Sequence, residues 1–177
     1  QGYVLTTPLQ LAVMTARAVN GGYAVLPRLT RESAGADGNS AEPPSFPHTG
    51  ISERSRQFLL QALDEVVNHP RGTAFTSRIV DPGRVFGGKT GTAQVRRITM
   101  VEREAGVRKN REKPWRERDH SLFVGFAPLD EPRYAVSVVV EHGGGGSKTA
   151  APIARDILKE LQRPRAPQRL ATSEREA

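Results

Sequence analysis

Apolar residues recur at helical spacing in three stretches of this chain and run nearly unbroken in three others. Leu9, Ala12, Val13 and Ala16 form the first stripe and predict a helix. Thr7 suits its N-cap, Pro8 its first turn, and Gln10 completes a capping box, while Asn20-Gly21-Gly22 ends it. A second helix starts near Ser52, with Glu53 in its first turn and Leu59, Ala62, Leu63, Val66 and Val67 as its apolar face. Pro70 and Gly72 stop it, and Gly72-Thr73-Ala74-Phe75 reads as a further helical turn. The last helix runs from near Thr149 to Leu161, with Ile153, Ile157, Leu158 and Leu161 as its apolar face.

The unbroken runs read as strands. They are Val85 to about Val95, Ser121 to Ala127, and Arg133 to Val140, the last apolar enough to be buried on both faces. Tyr23 to Leu26 can add a short strand before Pro27. Pro128-Leu129-Asp130-Glu131-Pro132 is a turn, and so short a connection implies an antiparallel pair. The fold class is therefore α+β, an antiparallel sheet with packed helices. Residues 31–50 read as a surface loop, 98–118 as a charged insert, and 164–177 as a disordered basic tail.

Composition narrows the functional classes. At 177 residues the chain is long enough for one domain with a real core. It holds no cysteine, so disulfides and Cys-ligated zinc are excluded. No apolar stretch could span a bilayer and there is no targeting segment, but the start at Gln1, without Met, reads as a position inside a larger protein. The net charge of +7 raises nucleic acid as a partner. Its distribution argues against that. Residues 96–119 carry a net of +4 and residues 163–177 a net of +2, so the body is nearly neutral. Trp115 is a lone aromatic among mixed charges, and the insert reads as solvated or partner-facing. His48, His69, His120 and His142 are scattered without metal-ligand spacing, and His120 reads as structural.

The chemistry concentrates at Gly88-Lys89-Thr90-Gly91-Thr92-Ala93-Gln94. Gly83 to Thr90 satisfies the pattern G-x-x-x-x-G-K-[ST], which would make residues 83–90 a P-loop for nucleotide. A P-loop needs a buried strand before the first Gly and a helix starting at the Lys. Here Asp81-Pro82-Gly83 is a turn, and the residues after Gly91 are β-branched without a helical stripe. The run thus reads as a strand bearing Lys-Thr-Gly. A cationic Lys89 suits an anionic ligand, Thr90 and Thr92 can donate hydroxyl hydrogen bonds, and Gly91 lets a ligand backbone approach an edge. In a regular strand Lys89 and Gly91 share one face and Thr90 and Thr92 the other, so one ligand meets all four only along the strand edge.

Several segments together resemble the class B penicillin-binding proteins. Gln1-Gly2-Tyr3 with Thr7-Pro8-Leu9-Gln10-Leu11-Ala12 resembles the stretch before their last motif, and Gly88 to Gln94 that motif itself. Asp119 to Pro128 resembles the following strand of the elongation-type, penicillin-binding protein 2-like members, and Val138 to Gly146 with the last helix also fits. The resemblance implies part of a penicillin-binding, β-lactamase-like fold and a serine D,D-transpeptidase that cross-links peptidoglycan stem peptides and is acylated by β-lactams. It implies no cofactor. It implies a parent anchored in the inner membrane with this domain outside the cytoplasm, and the cell-elongation machinery as a partner. By resemblance Lys89 borders the cleft and, with Thr90, Gly91 and Thr92, binds the substrate carboxylate, while the Thr92 N–H is half of an oxyanion hole. The family's S-x-x-K and S-x-N motifs do not occur in these 177 residues. Residues 1–163 are therefore expected to be the C-terminal portion of the domain, completed by an N-terminal half carrying the nucleophile and inactive alone. The alternative expectation is a non-catalytic remnant that binds a β-lactam or a partner.

Overall fold

The computed structural model describes residues 4–29 and 45–164. Gln1-Gly2-Tyr3, most of the 31–50 loop and nearly all of the tail lie outside the described residues. The elements are α1 (Pro8–Val19), α2 (Glu53–Asn68), β1 (Gly87–Ala93), α3 (Met100–Ala105), β2 (His120–Ala127), β3 (Tyr134–Val140) and α4 (Ala150–Leu161). Short 3-10 turns lie at Phe75–Ser77, Pro82–Arg84, Asn110–Glu112 and Trp115–Glu117.

Both long N-terminal helices start where their capping residues stand. The Gln10 N–H donates to Thr7 Oγ1 at 3.1 Å and the Thr7 N–H to Gln10 Oε1 at 2.8 Å, the reciprocal pair of a capping box. At α2 the Ser55 N–H donates to Ser52 Oγ. The three strands form one antiparallel sheet in the order β1-β2-β3. Phe123 lies opposite Thr90 on one side and Val138 on the other. That face of the sheet meets α4, and the core joins Phe123, Ala127, Val136 and Val138 to Ala151, Ala154 and Leu158. Val67 of α2, with Ala74, Ile79 and Phe86, extends the core along β1.

Four sequence expectations are corrected. Tyr23 to Leu26 is not a strand; Tyr23 makes an isolated bridge to His48. The turn after α2 begins at Phe75, not Gly72, because Gly72 is spent in closing the helix end, where its N–H donates to His69 O. The strand β3 is half-buried, not buried on both faces, since no strand pairs with its outer edge among the described residues. The buried face of α4 is Ala150, Ala151, Ala154 and Leu158, whereas Ile153, Ile157 and Leu161 are each about 42% exposed. Alanines let a helix lie close to a sheet, and the larger side chains are turned outward.

Candidate active site

Among the described residues the β1 strand is an edge of the sheet, paired on one side only, by β2. Lys89 stands at its centre opposite Val124, with Gly91 opposite Leu122 and Thr92 opposite Ser121. This removes the P-loop reading of residues 83–90. Lys89 is mid-strand where a P-loop requires a helix start, and Pro82–Arg84 is a 3-10 turn where it requires a strand.

Lys89 and Thr90 leave from opposite faces, yet their polar atoms converge. The Lys89 side chain turns along the edge, and its Nζ donates to Thr90 O at 3.0 Å and to Thr90 Oγ1 at 3.4 Å. Among the described residues no carboxylate pairs with Lys89. Thr90 Oγ1 also lies 2.9 Å from Thr73 Oγ1. An ammonium and two hydroxyls thus form one connected polar row beside an unpaired strand, an arrangement suited to a carboxylate.

Two neighbours hold this row in place. The end of α2 is tied to the entry of β1 by Asn68, whose Nδ2 donates to Phe86 O at 3.0 Å and to Asp64 Oδ1 at 2.7 Å. Thr73 follows that helix end directly and so reaches Thr90. Its role was not legible in the sequence, where it stood inside an anticipated helical turn; a hydroxyl between a helix-ending Gly and an apolar pair was the available signal. From the other end of β1, the glycine loop at 143–146 lies against the backbone. A Cβ on Gly146 would sit 2.5 Å from Gly91 O and 2.9 Å from Gly91 N, so only glycine permits this approach. Ser121, fully buried, fixes the loop: its hydroxyl donates to Gly145 O at 3.2 Å and accepts from the Ala150 N–H at 3.1 Å.

The charged insert is pinned at the start of β2 and the end of β3, through Asp119 and His142. Arg96 donates to both Glu102 oxygens, at 2.5 and 2.8 Å, and these hydrogen bonds hold the Glu102 carboxyl below the ordinary carboxylate range. Asn110 exchanges two 3.0 Å hydrogen bonds with Asp119, and Lys113, 5% exposed, pairs with Asp119 at 3.5 Å. His120 and His142, distant in sequence, come together with ring centroids 4.8 Å apart, and Trp115 lies 4.5 Å from His142. Among the described residues no three of His, Asp and Glu are grouped to hold a metal ion.

Residues 1–159 match the family described as penicillin binding protein transpeptidase domain. The chain is 34% identical over 178 residues to the peptidoglycan D,D-transpeptidase MrdA of Haemophilus influenzae, covering 95% of this chain and 25% of that protein. It is 32% identical over 168 residues to the MrdA of Escherichia coli K12, covering 91% of this chain and 25% of that protein. Among solved structures, Pseudomonas aeruginosa PBP2 superposes with a TM-score of 0.68 at 33% identity, over 91% of this chain and 31% of that one. Helicobacter pylori PBP2, in its complex with MreC, superposes with a TM-score of 0.66 at 27% identity, over 92% of this chain and 26% of that one. The chain thus spans about a quarter of the length of the curated relatives it matches.

Proposed function

The chain belongs to the penicillin-binding protein transpeptidase family, on its class B, PBP2-like branch, and from that premise we infer that β1 is one wall of the cleft of a serine D,D-transpeptidase. Residues 1–163 are the C-terminal portion of that domain, and the preceding portion carries the S-x-x-K serine. That serine attacks the penultimate D-Ala carbonyl of a stem peptide. The carbonyl π electrons move to oxygen, and collapse of the tetrahedral intermediate expels D-Ala, whose nitrogen takes the proton. An amine of a second stem then attacks the ester, forms the cross-linking amide and returns the serine hydroxyl. A β-lactam acylates the same serine without a departing D-Ala.

The observation that carries this reading is the convergence of Lys89 Nζ and the Thr90 hydroxyl on an unpaired strand edge. Lys89, Thr90 and Thr92 bind the substrate's terminal carboxylate, and Gly91 lets the stem peptide lie along the edge. Strand geometry supports Thr92 as an oxyanion donor. In a strand, the N–H and C=O of one residue point the same way and alternate residue by residue. The Thr92 N–H is therefore on the side of Thr90 O, which Lys89 reaches from the edge. One such donor is worth roughly a hundred- to a thousandfold in rate.

The family places this work in cell-wall synthesis and cell shape. The parent is anchored in the inner membrane and displays this domain outside the cytoplasm; among the described residues no helix is long and apolar enough to cross a membrane. The H. pylori relative was solved with MreC, which supports an elongation-complex partner for this chain. The test is Lys89→Ala in the polypeptide that includes the S-x-x-K serine. Loss of a charge-assisted contact to the carboxylate is expected to slow acylation by a fluorescent penicillin about ten- to a hundredfold. Unchanged acylation would sink the assignment of Lys89 and favour a binding module whose chemistry lies elsewhere.

A further inference from the structure

We propose that the concavity between the insert and the glycine loop is a binding site for a multivalent phosphoryl anion, lined by residues other than the Lys89–Thr90–Thr73 row. The cavity has a volume of about 630 Å³. Lys109, Arg111 and Arg118 face it from the insert and Lys148 from the loop, and no Asp or Glu lines it. Three of the insert's carboxylates are engaged away from the four cations: Glu102 and Glu117 with Arg96, and Asp119 with Lys113. Of the four cations only Arg111 has a carboxylate partner among the described residues, Glu112 at 3.7 Å on the exposed side. Arg118 uses Nε on Lys113 O at 3.2 Å, which aims its remaining N–H groups without consuming them.

Like charges gathered around a hollow repel, so something must hold the walls together. His142 does much of it. It sits at φ 56, a conformation that costs a non-glycine residue of order 1–2 kcal/mol. Its N–H donates to His120 Nδ1 at 2.9 Å, its own Nδ1–H donates to Arg118 O at 3.0 Å, and its ring meets Trp115. The Gly144 N–H donates to Asp119 O at 2.8 Å and closes the loop onto the insert. Strain and repulsion are thus both tolerated to form this cavity, and a bound anion relieves the second.

The glycines divide in the same sense. Gly143 and Gly146 are glycine because neighbours fill the space of a Cβ. Gly145 has nothing within 4 Å, and Gly144, at φ +80, has only Asn110 at 3.9 Å. Both line the cavity, but Gly144 is buried with its N–H committed to Asp119 O, so it is Gly145, exposed, that lets a ligand oxygen reach the backbone. Four cations converging from two segments match a group with several anionic oxygens in different directions, which a single planar carboxylate does not present.

The test titrates the 177-residue chain, complexed with the S-x-x-K-bearing portion that covers its apolar surface, with inorganic pyrophosphate at constant ionic strength, following the amide resonances of Gly144, Gly145 and Lys148. Saturable binding with one equivalent is expected, centred on those amides. Lys148→Ala and Arg111→Ala, at exposed positions that leave the remaining spectrum unchanged, should each weaken it about tenfold, and Lys148→Arg should restore it. A parallel titration with phosphatidylglycerol vesicles separates the sources. Vesicle binding lost in the same variants identifies a lipid headgroup, and its absence beside pyrophosphate binding identifies a free diphosphate. No saturation in either arm, or variants that titrate like the parent sequence, would overturn the proposal.

Discussion

Lys89 reaches across the edge of β1 to Thr90, and Thr90 in turn touches Thr73, a residue from another element. This geometry gives Thr73 a positioning role. Lys89 donates to Thr90 Oγ1, and with the Thr73 hydroxyl turned to donate there as well, the Thr90 hydrogen is free to turn toward a carboxylate. Thr73→Val keeps the shape and removes the hydroxyl. It is expected to slow penicillin acylation of the S-x-x-K-containing protein about three- to tenfold, the worth of one neutral hydrogen bond. Thr73→Ser should recover most of the loss while thermal stability stays level across the three, an outcome that a merely structural Thr73 would not produce. Lys89, Thr90, Gly91 and Thr92 were nameable as candidates because their chemistry lies in consecutive residues whose flanks already excluded a P-loop. Thr73 was not, because it becomes a neighbour only when the end of α2 is tied to Phe86 through Asn68. The sequence also left open how both faces of a strand serve one ligand. The edge position of β1 and the curl of the Lys89 side chain offer a route for it.

At the scale of elements, caps and turns were read well and faces less well. Thr7, Ser52 and the Asn20-Gly21-Gly22 stop act through local backbone hydrogen bonds, which a sequence carries directly. Which stripe of α4 is buried depends on what it meets. Periodicity pointed to Ile153, Ile157, Leu158 and Leu161, but the sheet takes Ala150, Ala151, Ala154 and Leu158. Leu158 alone belongs to both sets, so comparing it with Ile157, which belongs to one, separates the two stripes energetically. Leu158→Ala leaves a cavity under Phe123 and Gly125 and should cost about 2–5 kcal/mol, read as a lower urea midpoint. Ile157→Ala, at a position 41% exposed, should cost about 1 kcal/mol or less in the same measurement. Equal losses would mean that α4 is rotated from the face described. The insert was the least legible element. Its charges suggested a solvated segment, but Asp119 and Asn110 pin it, and the meeting of His120 with His142 depends on a positive φ that no spacing rule anticipates.

The whole molecule combines a closed core on one face of α4 with apolar surface that nothing covers among the described residues. Ile153, Ile157 and Leu161 run along the outer side of α4, and Leu9, Val13, Met14 and Ile51 line a cavity of about 520 Å³ beside α1. Monomeric proteins rarely leave such contiguous patches open. The matched relatives are about four times longer than the span this chain covers in them. The antiparallel pairing of β2 with β3 was legible because the connection between them is short. The uncovered surfaces were not, since they count as core in a sequence pattern. Both features follow if the cleft wall formed by β1 acts only when docked to the portion of the domain that bears the serine. The 177 residues alone are then expected to take no covalent label from a fluorescent penicillin and to self-associate as concentration rises, which sedimentation velocity would detect. Adding a polypeptide with the preceding, S-x-x-K-bearing portion should dissolve the self-association, form a one-to-one complex and produce a labelled band on that partner. A label on the 177-residue chain itself would place a nucleophile among its own serines and refute the division of labour proposed for the two portions.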